Sequence, residues 1–183
     1  MDLAEKTLTS KVLYDGVIIR AELDSALLPD GTTTNREVVR HPGGVCVAAL
    51  NDKNELAFVR QYRYPYAEIV SELPAGKLER GEDPFEAVKR ELKEETGAQS
   101  DSWKDMGWLY PSPGYCDEII HLYACRISSV GEQTPDEDEF LEAQYIPLEK
   151  ALEMVMRGEL RDAKTQTLIL KLHHALSCDE NFI

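Results

Sequence analysis

Residues Gly76 to Ala98 read GKLERGEDPFEAVKRELKEETGA, and the spacing inside this stretch decides the fold. Asp83-Pro84 predicts a helix start: Asp83 can cap, Pro84 suits the first helical position, and Glu86 can reach back as in a capping box. Gly97 predicts the stop, because glycine takes the left-handed conformation that ends helices. Between them Phe85, Val88 and Leu92 fall at i, i+3 and i+7 and make one apolar stripe. At about 100° per residue, Glu91 and Glu95 sit beside that stripe and point nearly the same way. Glu94 lies further round, nearer solvent, and Glu82 arrives from the loop before the helix.

Carboxylates converging at the edge of a core repel one another unless a cation joins them. Hard oxygen ligands in that arrangement suit Mg2+ or Mn2+, which keep waters and share substrate phosphate oxygens. Arg90 is the built-in counter-charge, able to hold one carboxylate through a bidentate contact. A glutamate-rich helix is ordinarily a solvated face laced with i,i+4 pairs. Such a face does not require Gly76, Glu82, Arg90 and Gly97 in register with it, so metal binding is the better reading.

The full pattern, G-x5-E-x7-R-E-U-x-E-E-x-G-U with U a bulky apolar residue, resembles the box of the Nudix hydrolases; Ala98 is smaller than its last position usually holds. The resemblance implies an α/β fold, a Nudix-type α/β/α sandwich with a mixed sheet. It implies metal ligation by Glu91, Glu95 and Glu94 and by the backbone carbonyl of Ala75, with Glu82 and Arg90 supporting the site. Outside the box stand Gln61-Tyr62-Arg63-Tyr64-Pro65, Glu72-Leu73-Pro74-Ala75-Gly76 and Ser112-Pro113-Gly114-Tyr115. Pro113, 16 residues past Gly97, looks like the marker of the ADP-ribose pyrophosphatase subgroup, and Asp162-Ala163-Lys164-Thr165 resembles its bacterial members.

The reaction so implied is hydrolysis of ADP-ribose to AMP and ribose 5-phosphate. Its base would come from the acidic run Pro135 to Glu139, Glu137 first and Glu139 second. Arg63 is the candidate for a phosphate or ribose contact. Arg36, from the N-terminal sheet, could reach a site across a homodimer interface, as swapped dimers of the family suggest, and Pro113 and Gly114 would line the substrate site. Tyr14, Tyr62 and Tyr115 stay open between base stacking and core packing. The nearest rival is a Nudix hydrolase of another substrate, such as GDP-mannose or NADH. A non-catalytic ADP-ribose sensor would be expected to carry a degraded box and a basic helix-turn-helix, and this box is intact.

Composition sets the outer bounds. A net charge of -14 and a pI near 4.7 argue against a nucleic-acid binder relying on phosphate attraction. Cys46, Cys116, Cys125 and Cys178 have no metal-type spacing and suggest no disulfide framework. The first residues are charged rather than signal-like, and no apolar run reaches membrane length, so the expected compartment is cytoplasmic. Lys11–Tyr14, Val17–Ala21 and Asn35–Arg40 read as strands around a Pro29-Asp30-Gly31 turn. They predict a small N-terminal antiparallel sheet over residues 1–44, too thin to be stable alone and expected to serve as a dimerisation element. The hydrolase domain is expected over residues 45–183, with helices at 148–157 and 163–177.

Overall fold

In the computed structural model, which describes residues 2–135 and 139–183, the chain divides into two units. The smaller comprises Met1–Gly43 and Tyr110–Ile119, the larger Gly44–Leu109 and Ile120–Ile183. Segment 110–119 thus joins the N-terminal sheet, which a cut at residue 44 does not provide for.

The larger unit is built on β4 (Gly44–Leu50), every residue of which is buried. Its side chains alternate between two cores, as a strand's period of two requires. Val45, Val47 and Ala49 face Ala87, Val88 and Leu92 of helix α1 (Pro84–Thr96). Cys46, Ala48 and Leu50 face helices α2 (Leu148–Met156) and α3 (Ala163–Cys178), through Leu148, Ala151, Leu168 and Leu172. A continuous apolar run covered on both faces is what a central strand of a three-layer sandwich needs.

Around β4 lie β5 (Glu55–Arg63), β6 (Glu68–Glu72), β7 (Ala75–Lys77), β9 (Ser102–Leu109), β10 (Ile120–Arg126) and β12 (Leu141–Pro147). The order is β12-β5-β4-β10-β9, with β6 on β5 and β7 on β4. β4 and β10 run parallel and their other pairings are antiparallel, so the sheet is mixed. Phe58 on β5 is fully buried, and its truncation to Ala would cost about 3–5 kcal/mol. A two-stranded ribbon, β8 (Ala98–Gln99) with β11 (Ser129–Val130), completes this unit.

In the smaller unit β1 (Lys6–Asp15), β2 (Arg20–Leu27) and β3 (Thr33–Arg40) form an antiparallel sheet. The expected strand at 17–21 is displaced. Gly16 N–H donates to the Ile19 carbonyl at 3.0 Å, so 16–19 is the turn and β2 begins at Arg20. Tyr115 and Asp117 extend the unit by bonding to Val39 on β3: Val39 N–H donates to Tyr115 O at 2.7 Å and Asp117 N–H to Val39 O at 3.1 Å.

Candidate active site

Helix α1 begins and ends where its sequence says it should. The Asp83 carboxylate accepts from the N–H groups of Phe85 (2.9 Å) and Glu86 (3.2 Å), and Pro84 opens the first turn. Gly97 ends it at φ 72°, its N–H on the Lys93 carbonyl. A side chain there would strike the Gly131 carbonyl as well as strain the backbone. The expected reach-back of Glu86 is not the contact it makes; it pairs with Lys89 at 2.8 Å, one turn on.

The helix buries Val88, Glu91, Leu92 and Glu95 on one side, so two carboxylates share the face that packs on the sheet. Gly76, entering from β7, makes room for one of them: a Cβ at that position would lie 1.9 Å from the Glu91 carboxyl carbon. Glu95 accepts a hydrogen bond from the Ala75 N–H at 3.0 Å. Its burial, eased only in part by that N–H, pushes its pKa up to about 8. Burial likewise raises Glu91, to about 7, against the pull of Arg90.

Arg90 does more than hold one carboxylate. Its Nε and Nη2 reach Glu82 at 3.0 and 3.1 Å, and its Nη1 reaches both Glu91 and Glu94 at 2.9 Å. Glu82, fixed by Arg90 and also accepting from the Glu79 N–H at 2.9 Å, has a lowered pKa. One guanidinium therefore answers three carboxylates, Glu82, Glu91 and Glu94. Among the described residues, no three ligating groups converge closely enough to grip an ion as they stand, because Glu91 and Glu94 are turned to Arg90. The donor set nonetheless fits a hard divalent cation. It has two buried carboxylates whose ionisation is opposed by burial, a third beside them, and a strand kept free of side-chain bulk by Gly76.

The segment that precedes the acidic run, residues 131–134, bonds to the C-terminal end of α1. Gly131 N–H donates to Gly97 O (2.8 Å), Thr134 N–H to Glu94 O (2.9 Å), and the Gln133 side chain to Glu95 O. Glu139 acts electrostatically on both Glu91 and Glu95, raising each. Glu137, the first choice for a base, lies outside the described residues.

Arg63 is not a loose surface charge. It holds Glu72 in a two-point pair, Nε–Oε1 2.7 Å and Nη2–Oε2 2.8 Å, and acts electrostatically on Glu95. The sequence reading gave Glu72 and Lys164 no role, although both stand in motifs it singled out. Glu72 is buried, and burial alone would raise its pKa, yet Arg63 and Lys164 hold it below the usual carboxylate range. Burial would likewise strip Lys164, but Asp162 and Glu72 keep its pKa above the ordinary value. The remaining predicted residues, Arg36, Pro113 and Gly114, belong to the smaller unit. Arg36 pairs there with Glu5 at 2.7 and 3.0 Å; Pro113 and Gly114 form an exposed turn.

A sandwich with a mixed sheet, carrying glutamates on a glycine-flanked helix, defines a class of enzymes that act on diphosphate bonds. A family model described as NUDIX domain matches residues 40–167, and the chain belongs to that family. It is 40% identical over 182 residues to an ADP-ribose pyrophosphatase of Bacillus subtilis, covering 97% of this chain and 98% of the relative. It is 41% identical over 179 residues to a methanol dehydrogenase activator of Bacillus methanolicus, covering 94% and 95%. A solved structure described as an ADP compounds hydrolase superposes over all of both chains with a TM-score of 0.85 at 18% identity, a likeness of fold. The family's hydrolases generally require a divalent metal.

Proposed function

We propose that this enzyme hydrolyses the diphosphate of ADP-ribose to AMP and ribose 5-phosphate. The observation that carries the reading is the pair Glu91 and Glu95, buried together beside Gly76 in a near full-length relative of an ADP-ribose pyrophosphatase. Glu91, Glu95, Glu94 and the Ala75 carbonyl would hold the cation, with Mg2+ first and Mn2+ second. Bound there, a divalent ion supplies charge neutralisation at the diphosphate and polarises phosphorus towards water.

The chain's own residues do the rest. Arg63 contributes a planar donor set for a phosphate oxygen. Arg90 keeps Glu82, Glu91 and Glu94 in place until substrate arrives. The segment 131–134, which leads into the acidic run, is fastened to the end of α1. Glu139 or Glu137 then takes a proton from the attacking water, Glu139 being the one whose charge is felt at Glu91 and Glu95. We place a homodimer contact on the N-terminal sheet. β1 is exposed along its whole length and presents Leu8, Val12, Leu13 and Tyr14.

The test is AMP release from ADP-ribose with Mg2+ by wild type and Glu95→Gln, with GDP-mannose and NADH alongside. Metal-dependent turnover lost in the variant supports the reading. Turnover of another substrate alone keeps the hydrolase and discards ADP-ribose, while binding without any turnover revives the sensor. The likeness to a methanol dehydrogenase activator favours a second reading, in which hydrolysis here activates a dehydrogenase. Assaying a methanol dehydrogenase with wild type and with Glu95→Gln decides it: stimulation by wild type alone supports it, and none from either ends it.

A further inference from the structure

A second buried charge cluster stands behind the site. Strand β6 ends in Glu72, 2% exposed, whose Oε1 takes Arg63 and whose Oε2 takes both Arg63 and Lys164. Lys164 also donates to Asp162 at 2.9 Å. Asp162 caps α3 through its other oxygen, which accepts from Thr165 N–H at 2.9 Å. Thr165 Oγ1 in turn accepts from the N–H of Leu73, at 2.9 Å. The first turn of α3 therefore grips residues 72 and 73, and two residues further on Ala75 donates to Glu95.

The charges of the four groups balance, two acids against two bases, but their exposure does not. Lys164 and Glu72 are sunk in the core, whereas the Arg63 side chain is 38% exposed. Only the arginine has a face left for a ligand. If Lys164 served the fold alone, a buried pair with Glu72 would be enough. Here the same carboxylate is divided between Lys164 and Arg63, so the ammonium fixes the plane in which the guanidinium must lie. It also takes up part of the Glu72 charge that would otherwise be spent wholly on Arg63.

The geometry points to Lys164 as a positioning residue, which acts through Glu72 to orient the Arg63 guanidinium and leave it positive towards a substrate phosphate. This rests on the reading of Arg63 as a phosphate contact.

The experiment is a double-mutant cycle of Lys164→Met and Arg63→Ala. It is run on the nucleoside diphosphate sugar that wild type turns over fastest, so failure of the ADP-ribose assignment is seen separately in wild type. Lys164→Met should raise KM about tenfold, the scale of a misplaced positioning group, and Lys164→Arg should restore most of it. In the Arg63→Ala background Lys164→Met should change KM by less than about twofold, since two residues acting as one unit do not add. Leu168→Val, on the same helix and inside the core, controls for stability and should leave KM alone. Mn2+ affinity measured without substrate should not move in Lys164→Met, separating the phosphate arm from the carboxylate cluster.

An unchanged KM in Lys164→Met overturns the inference. So do additive effects of the two substitutions, or a rise in KM matched by Leu168→Val. If Arg63→Ala itself leaves KM unchanged, both the phosphate reading of Arg63 and this inference fall. If Lys164→Met does not fold, Lys164→Arg carries the cycle, with a smaller KM rise that must again vanish without Arg63.

Discussion

Glu72 and Glu95 are equally buried, each 2% exposed, and their chemistry is opposite. Glu72 meets burial with two cations and is held ionised below the usual range. Glu95 has one backbone N–H from Ala75, and burial wins, lifting it to about 8. Burial alone therefore does not mark a functional carboxylate; the missing counter-charge does. One acid is settled within the chain, and the other is the one we propose a cation would answer.

Glu95→Gln tests this contrast most strongly. If Glu95 holds the cation as proposed, its removal should lower kcat/KM by on the order of 10³-fold. The same change should stabilise the metal-free protein at pH 8, raising its Tm, because a buried charge without a partner is replaced by a neutral amide. Glu72→Gln should do the reverse to stability. It leaves Lys164 with Asp162 alone and takes the carboxylate from Arg63, and denaturant titration should show a loss of about 3 kcal/mol. If both substitutions destabilise alike, the contrast is wrong.

Gly76→Ala comes next. The new methyl would fall on the Glu91 carboxyl, which must rotate off the site. We expect a loss of about 1–3 kcal/mol in stability, with weaker Mn2+ binding in calorimetry. A neutral effect on both would mean the glycine serves only the turn.

How much of this was legible in the sequence depended on distance along the chain. The Asp83 and Gly97 caps come from local residue chemistry, and the stripe and the shared direction of Glu91 and Glu95 from a period of 3.6 inside thirteen residues. These are found in α1, while the reach-back of Glu86 is not. The two-sided burial of β4 comes from helices packed on both faces, which its apolar run alone does not specify. The start of β2 was misjudged because Val17, Ile18 and Ile19 are strand-like by composition, while Gly16 and the Ile19 carbonyl make them a turn. Arg90 was given one carboxylate and holds three, since its reach back to Glu82 depends on how the loop folds over the helix. Lys164 and Glu72 lie 92 residues apart, and no periodicity links residues at that separation. Each sat in a noticed motif, but only the fold shows that the motifs meet.

The gentlest test is pH. Glu91 and Glu95 have folded pKa values of about 7 and 8, above an unfolded carboxylate near 4.5, so across that interval the folded chain binds more protons than the unfolded one. Their contribution to stability is complete below about 4.5 and is lost as pH rises through 7 and 8. Glu72 and Glu82, with lowered values, act the other way and lose theirs as pH falls through their depressed pKa values, below 4.5. Metal-free protein should accordingly be most stable near pH 4.5 and lose up to a few kcal/mol by pH 9, read as a falling Tm. A cation that binds the ionised pair should flatten the alkaline side, so the gap in Tm between metal-loaded and metal-free protein should widen from pH 6 to pH 9. In Glu95→Gln the alkaline decline should shrink and leave only the part due to Glu91. A metal-free Tm that holds steady to pH 9 would mean that Glu95 finds its counter-charge within the chain after all, as Glu72 does.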